Sequence, residues 1–188
     1  MEEDYANITR QGDLPHFGHL ARELSEQKQF SLLHELLRKR ELTPFNHYTV
    51  AKLLADKEDP KTFEILIEIS SPNAPLQMGD EGRPSNEGLI SGEGVPDYSA
   101  LALRSYLRSN KYRSKAEAHL IRLLKEHKRT GVRAFAAMAL AHSTTSESVQ
   151  ALQAALKDKG YVITAQGGND YVWEYARDSL EVIKPKSK

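Results

Sequence analysis

This sequence predicts an all-α fold of paired helices, and three observations carry that reading. Apolar residues recur at spacings of three and four in segment after segment, while strand-like alternation is nearly absent. Several of these segments open on a capping residue or on a proline placed for a first helical turn. Two of the resulting hairpins also superpose without a gap at an offset of 86 residues, Ala51 on Ala137, Leu54 on Leu140, Ala55 on Ala141, Phe63 on Val149 and Leu66 on Leu152. Helices within a hairpin approach closely only where one presents a small side chain, so the shared Ala-x-x-Leu-Ala pattern is a packing requirement.

Taken in order, Asp13 and Pro15 suit a cap and first turn, with Phe17, Leu20, Ala21 and Leu24 on one face of the helix that follows. Phe30, Leu33, Leu36 and Leu37 form the stripe of a second helix, which ends in Arg38-Lys39-Arg40, cations suited to a helix C-terminus. Thr43-Pro44 opens a third helix bearing Tyr48, Ala51, Leu54 and Ala55, and Asp59-Pro60 a fourth bearing Phe63, Leu66, Ile67 and Ile69. Residues 71–97 break the pattern: with five of the eleven glycines and four of the eight prolines they read as a long acidic, solvated loop. Helical spacing resumes with Tyr98, Leu101, Ala102 and Tyr106, and again with Ala116, Leu120, Leu123 and Leu124. Another hairpin spans 131–158, a small loop covers 160–170, and Val172, Tyr175, Ala176, Leu180 and Ile183 mark a last amphipathic helix before the basic tail 184–188.

The 188 residues are long enough for one helical-repeat domain with a sizeable core. The longest apolar run, Ala134 to Ala141, is too short to span a bilayer, and the acidic start Met1-Glu2-Glu3-Asp4 is unlike a secretory leader, so a cytoplasmic protein without a membrane partner is expected. With no cysteine, disulfides, thiolate nucleophiles and Cys-ligated zinc are excluded. Net charge is zero but unevenly spread: residues 1–70 and 71–103 each carry −4, whereas residues 104–133 hold 10 basic residues against 2 acidic ones, for +8.

The stretch Gly131-Val132-Arg133-Ala134-Phe135-Ala136-Ala137-Met138-Ala139-Leu140-Ala141, continued by Val149-Gln150-Ala151-Leu152-Gln153-Ala154-Ala155-Leu156-Lys157-Asp158, resembles a HEAT repeat of the phycobilisome-lyase-like type. Residues 44–70 and 171–183 resemble it more weakly. The resemblance implies an α-solenoid, a right-handed superhelix of about four HEAT-like hairpins plus a terminal helix, with the second helices lining a concave surface. It also implies a structural pair of Arg133 and Asp158 bridging repeats. Trp173 follows Val172 where arginine is usual, so that ladder stops there and Trp173 caps the core end.

Catalytic and metal signatures are weak. The acids and glycines of 71–97 lack the spacing of a calcium loop, and no lysine follows a glycine cluster as in a phosphate loop. His16, His19 and Glu23 could share a helix face, but helix-end histidines with ordinary roles are the commoner case, and His119 and His127 read as buried, hydrogen-bonded histidines. Neither a cofactor nor a metal is expected. The candidate binding groove is formed by Lys115, Arg122, Lys125 and Arg129 with Trp173, and Leu89, Ile90 and Val95 would anchor the long loop to a partner. These features suit a non-catalytic module that binds a protein through its concave surface and loop. The alternative is a nucleic-acid-binding module gripping phosphates, with the HEAT-like alkylpurine DNA glycosylases as an architectural analogue and Trp173 near Asp170 as the faint sign of such chemistry. A bilin-lyase-like role is implied by the repeat type alone.

Overall fold

A computed structural model of the chain describes residues 17–39, 44–71, 98–163 and 168–183, together with paired segments at 84–85 and 88–89. The described helices are α1 (Phe17–Glu26), α2 (Phe30–Lys39), α3 (Pro44–Ala55), α4 (Pro60–Ile69), α5 (Ser99–Ala102) continued by a 3₁₀ helix (Leu103–Arg108), α6 (Arg113–Glu126), α7 (Thr130–Leu140), α8 (Ser146–Ala155) and α9 (Val172–Ile183). They pair as hairpins α1–α2, α3–α4, α5–α6 and α7–α8, with α9 unpaired. The first helices form one row, α1 on α3, α3 on α5, α5 on α7 and α7 on α9; of the second helices, α2 packs on α4 and α6 on α8. The result is a two-layered all-α repeat fold.

The 86-residue repeat has a physical basis. Ala51, Ala137, Leu54, Leu140, Leu66 and Leu152 are all buried, the small residues letting each hairpin close and the leucines filling the space between rows. The structure adds a third copy: an offset of 30 places Ala21, Leu24, Leu33 and Leu36, also buried, on Ala51, Leu54, Phe63 and Leu66. The turns match as well, since Lys28 and Glu58 occupy the same place in hairpins one and two and both are left-handed, with φ of 60° and 52°. Aromatic rings cross the first-helix row in a chain, Tyr48 to Tyr98 at 5.6 Å, Tyr98 to Phe135 at 4.4 Å and Phe135 to Tyr175 at 5.9 Å.

Asp59 caps α4 through a 2.6 Å bond from the Thr62 N–H, with Pro60 in the first turn as its φ preference favours. The third hairpin departs from expectation, because its first helix is α-helical for only four residues before tightening to 3₁₀. The cause is tertiary: Ser105 donates to Asp56 Oδ1 at 2.6 Å, the Tyr106 hydroxyl to the Asp59 carbonyl at 2.6 Å, and Ser109 to Glu58 Oε2 at 2.8 Å, drawing the segment onto the α3–α4 turn.

Strands are also present where loops were expected. β1 (Pro84–Ser85) pairs antiparallel with β2 (Gly88–Leu89) inside the acidic segment, and β3 (Tyr161–Ile163) with β4 (Asn169–Tyr171) ahead of α9. Tyr161-Val162-Ile163-Thr164 is a run of β-formers, and buried Val162 anchors the second hairpin while Thr130 donates to the Tyr161 carbonyl at 2.8 Å. On α9 the side chains of Arg177, Asp178 and Glu181 are exposed, and so is that of Val182. The Asp13–Pro15 start, His16 and the basic tail 184–188 lie outside the described residues.

Candidate functional site

Each second helix shows solvent a single stripe. On α2 it is Ser31, Glu35 and Arg38; on α4, Lys61, Glu64 and Glu68; on α6, Lys115, Ala118, Arg122 and Lys125; on α8, Glu147, Gln150 and Gln153. The spacing of three and four that buries Ala116, Leu120, Leu123 and Leu124 on α6 leaves its cations outward. The second-helix face is therefore divided: a mixed, mainly acidic part on α2 and α4, where Arg38 faces Glu68 at 3.8 Å, then a cationic stripe on α6 and an amide-rich one on α8.

Three polar assemblies hold these helices in place. His119, buried under the cationic stripe, donates from Nε2 to Ser70 Oγ at 2.9 Å, because that hydroxyl is itself committed to the Leu66 carbonyl at 2.6 Å. Its Nδ1 then accepts from Arg122 Nη2 at 3.1 Å, which ties the outward cation to the α4–α6 junction. Burial, with the Arg122 charge and His127 beside it, pushes this imidazole down to about 4, so it is neutral. The second assembly is Glu117, at an inward position of α6, whose Oε1 accepts the hydroxyls of Ser143, Thr145 and Ser148. Burial alone would raise this carboxyl, but the three hydroxyls outweigh it and hold it below the usual carboxylate range. Thr145 also caps α8 by accepting the Ser148 N–H at 3.2 Å, so one carboxylate joins α6 to the α8 N-terminus.

Arg133 and Asp158 form the third. Arg133 Nε donates to Asp158 Oδ2 at 2.7 Å and Nη2 to Oδ1 at 3.1 Å, while Nη1 reaches the His127 and Lys128 carbonyls at 2.8 Å each. The ion pair closes a single hairpin, which corrects the expectation that it bridges repeats; the Nη1 bonds do that work by satisfying carbonyls just past α6. Gly160 makes the arrangement possible. Its N–H donates to Asp158 Oδ1 at 2.9 Å, and a Cβ there would collide with Thr130 and lie 2.6 Å from Arg133 Nη2.

The other candidates fall elsewhere. Arg129 is half-buried in the turn between α6 and α7, its backbone N–H donating to His127 Nδ1 at 3.1 Å, and does not join the α6 stripe. Trp173 stands on α9 in the first-helix row, stacked on Tyr171 at 6.4 Å with Arg177 over its ring at 5.2 Å, and so lies apart from the α6 cations with which it was grouped. Leu89 falls in β2, while Ile90 and Val95 lie outside the described residues. His19 is exposed on α1. Among the described residues no group of three or more His, Asp or Glu is placed to hold a metal ion, and no helix is long and apolar enough to cross a membrane. One cleft of about 210 Å³ opens between α1 and α3 beside Arg22, Tyr48 and Lys52, smaller than the roughly 300–1,000 Å³ of ordinary ligand pockets.

Sequence reasoning missed Glu117 as a structural centre. Its signal was an acid at an apolar position of the heptad-like pattern, three residues before Leu120, combined with the hydroxyl-rich run Ser143-Thr144-Thr145-Ser146-Glu147-Ser148.

Two rows of antiparallel helices stacked by repeated small and large apolar positions define a helical-repeat protein. Residues 132–158 match the family model described as PBS lyase HEAT-like repeat, which supports a HEAT-like repeat at this place in the stack. No curated protein and no solved structure matches it.

Proposed function

We propose that the chain is a non-catalytic interaction module that takes an acidic segment of a protein partner along its second-helix face, with the segment 71–97 as an additional contact through Leu89, Ile90 and Val95. The supporting observation is the division of that face. Lys115, Arg122 and Lys125 attract negative charge, but Glu64 and Glu68 on α4 repel it, so the attractive zone is one helix wide. A short acidic protein segment fits such a zone. A nucleic-acid backbone tracked along the row would pass from cations to carboxylates and lose the counterion release that drives its binding.

Titration with a random DNA duplex across salt concentrations tests this against the nucleic-acid reading. The expected result is no appreciable binding near physiological salt. A polyglutamate peptide, by contrast, binds at low salt and loses affinity in the Arg122→Ala, Lys125→Ala double variant. Tight DNA binding whose log-log salt slope falls by about one unit per cation removed would overturn the proposal.

A further inference from the structure

Tyr161 and Tyr171 face each other across the β3–β4 hairpin and are 45% and 37% exposed, two of the four large apolar side chains that stand open to solvent among the described residues. Strand alternation sets their direction. Val162 points into the core, so Tyr161 and its cross-strand partner stand on the outer face. The Tyr161 ring lies 6.3 Å from that of Tyr171, which lies 6.4 Å from that of Trp173 with the two planes 25° apart. The hairpin therefore presents three rings in succession, ending over the first turn of α9.

Cations gather at one end of this row. Arg133 holds the Lys128 carbonyl at 2.8 Å and Asp158 by its fork, and Thr130 donates to the Tyr161 carbonyl at 2.8 Å, so the turns 127–130 and 157–161 lie together beside Tyr161. Lys128, Lys157 and Lys159 are exposed on these turns, and the carboxylate the turns contain, Asp158, is engaged by Arg133. At the other end Arg177 lies over Trp173 at 5.2 Å and is balanced by Asp178 at 2.9 Å. The acids nearest the rings are committed: Glu174 accepts the Tyr171 N–H at 2.7 Å, and Asp170, on the strand face of Val162, accepts the Tyr175 hydroxyl at 3.3 Å.

We infer that the outer face of this hairpin binds a short single-stranded stretch of nucleic acid, with bases stacked on Tyr161, Tyr171 and Trp173 and phosphates beside Lys128, Lys157 and Lys159. Every base has a π-face to offer a ring, and the lysines attract the phosphates that join the bases. An acidic peptide would occupy the lysines and leave the rings without a stacking partner; a proline-rich one would occupy the rings and leave the lysines without a counter-charge. A duplex keeps its base faces inside its own stack, so the rings do not reach them. These groups are other than Lys115, Arg122 and Lys125, and either site can fail without the other.

Trp173 is the only tryptophan of the chain, so its fluorescence reads the site directly. Oligothymidylate of about ten nucleotides, within the roughly 4–16 that one small binding fold spans, quenches it at low salt, whereas the same sequence paired into a duplex does not. Lys128→Ala and Lys159→Ala each lower the log-log salt slope by about 0.7, the value per phosphate neutralised on a single strand. Tyr161→Leu and Tyr171→Leu each weaken binding about tenfold, while Tyr161→Phe and Tyr171→Phe, which keep the ring, bind as the unsubstituted protein does. Melting curves show whether the Leu variants fold; if one does not, the lysine slopes and the Phe variants carry the test. Oligouridylate run alongside gives the source: tighter binding of one strand names RNA or DNA, and equal binding a site indifferent to the sugar. No quenching by either strand, binding that survives loss of both rings, or stronger quenching by polyglutamate or polyproline than by the oligonucleotides would overturn the assignment.

Discussion

Hairpin α3–α4 and hairpin α7–α8 share an apolar plan and differ in their polar wiring. Leu54 and Leu140, Leu66 and Leu152, and Ala51 and Ala137 are buried at matching positions. At the position where α7 carries Arg133, however, α3 carries His47, and at that of Asp158 the chain has Pro72. His47 is buried and donates from Nε2 to the Leu37 carbonyl at 2.9 Å, as Arg133 donates to the His127 and Lys128 carbonyls. Both side chains satisfy carbonyls at the end of the preceding second helix, and only Arg133 closes its own hairpin by an ion pair. Stacking thus requires a donor at this position but not a particular residue. The family model matches 132–158, where the apolar plan and the Arg133–Asp158 pair coincide.

If the two hairpins are equivalent in their packing, Leu54→Ala and Leu140→Ala will each destabilise the protein by about 2 to 5 kcal/mol. Urea denaturation with an unchanged slope measures this. A costly Leu140→Ala beside a neutral Leu54→Ala would break the equivalence and leave 132–158 as an isolated repeat.

The junction between the halves differs from both hairpins in depending on a neutral histidine. His119 joins α6 to Ser70 at the end of α4, and a proton on its Nδ1 would face the Arg122 N–H. Its folded value of about 4 lies below the ordinary value of about 6.5, so the unfolded chain binds more protons in between. Stability is therefore full above about pH 6.5 and falls as pH drops towards 4, by on the order of 3 kcal/mol from this group. The carboxylates of Asp59, Glu117 and Asp158 are held low by their own bonds and act below that window. Thermal melts from pH 7 to pH 4 should show the decline, and His119→Gln should flatten it; an equal decline in the variant would move the acid sensitivity elsewhere.

Much of this architecture was legible because helical periodicity and capping are local. Pro44 and Pro60 start α3 and α4, and the spacing of Ala116, Leu120, Leu123 and Leu124 placed Arg122 and Lys125 outward. The copy of the repeat at Ala21 and Leu24 was obscured by Ser25, which stands where the other copies have Ala55 and Ala141. What sequence did not reveal depends on distant partners. The tightening to 3₁₀ follows from bonds across about fifty residues to Asp56, Glu58 and Asp59. Glu117 makes sense only beside hydroxyls 26 to 31 positions away. The Tyr161-Val162-Ile163 strand was locally readable, since β-branched and aromatic residues run together there, but the surrounding glycines favour a loop reading.

The smallest expected effects divide the two hairpins most finely. His47→Gln keeps an N–H donor near the Leu37 carbonyl and should cost about 1 kcal/mol or less. Arg133→Gln loses the fork to Asp158 and leaves that part-buried carboxylate with the Gly160 N–H as its remaining hydrogen bond of those described, for about 2 kcal/mol. Arg133→Lys restores the charge without the planar fork and should recover only part of that loss. Combining Arg133→Gln with Asp158→Asn should cost clearly less than the sum of the two, because both break one interaction, whereas Arg133→Gln with His47→Gln should add. Non-additivity between His47 and Arg133 would mean that the two carbonyl bonds are coupled along the first-helix row. The hairpins would then be joined by a shared polar ladder, and the distinction between one apolar plan and two separate wirings would fall.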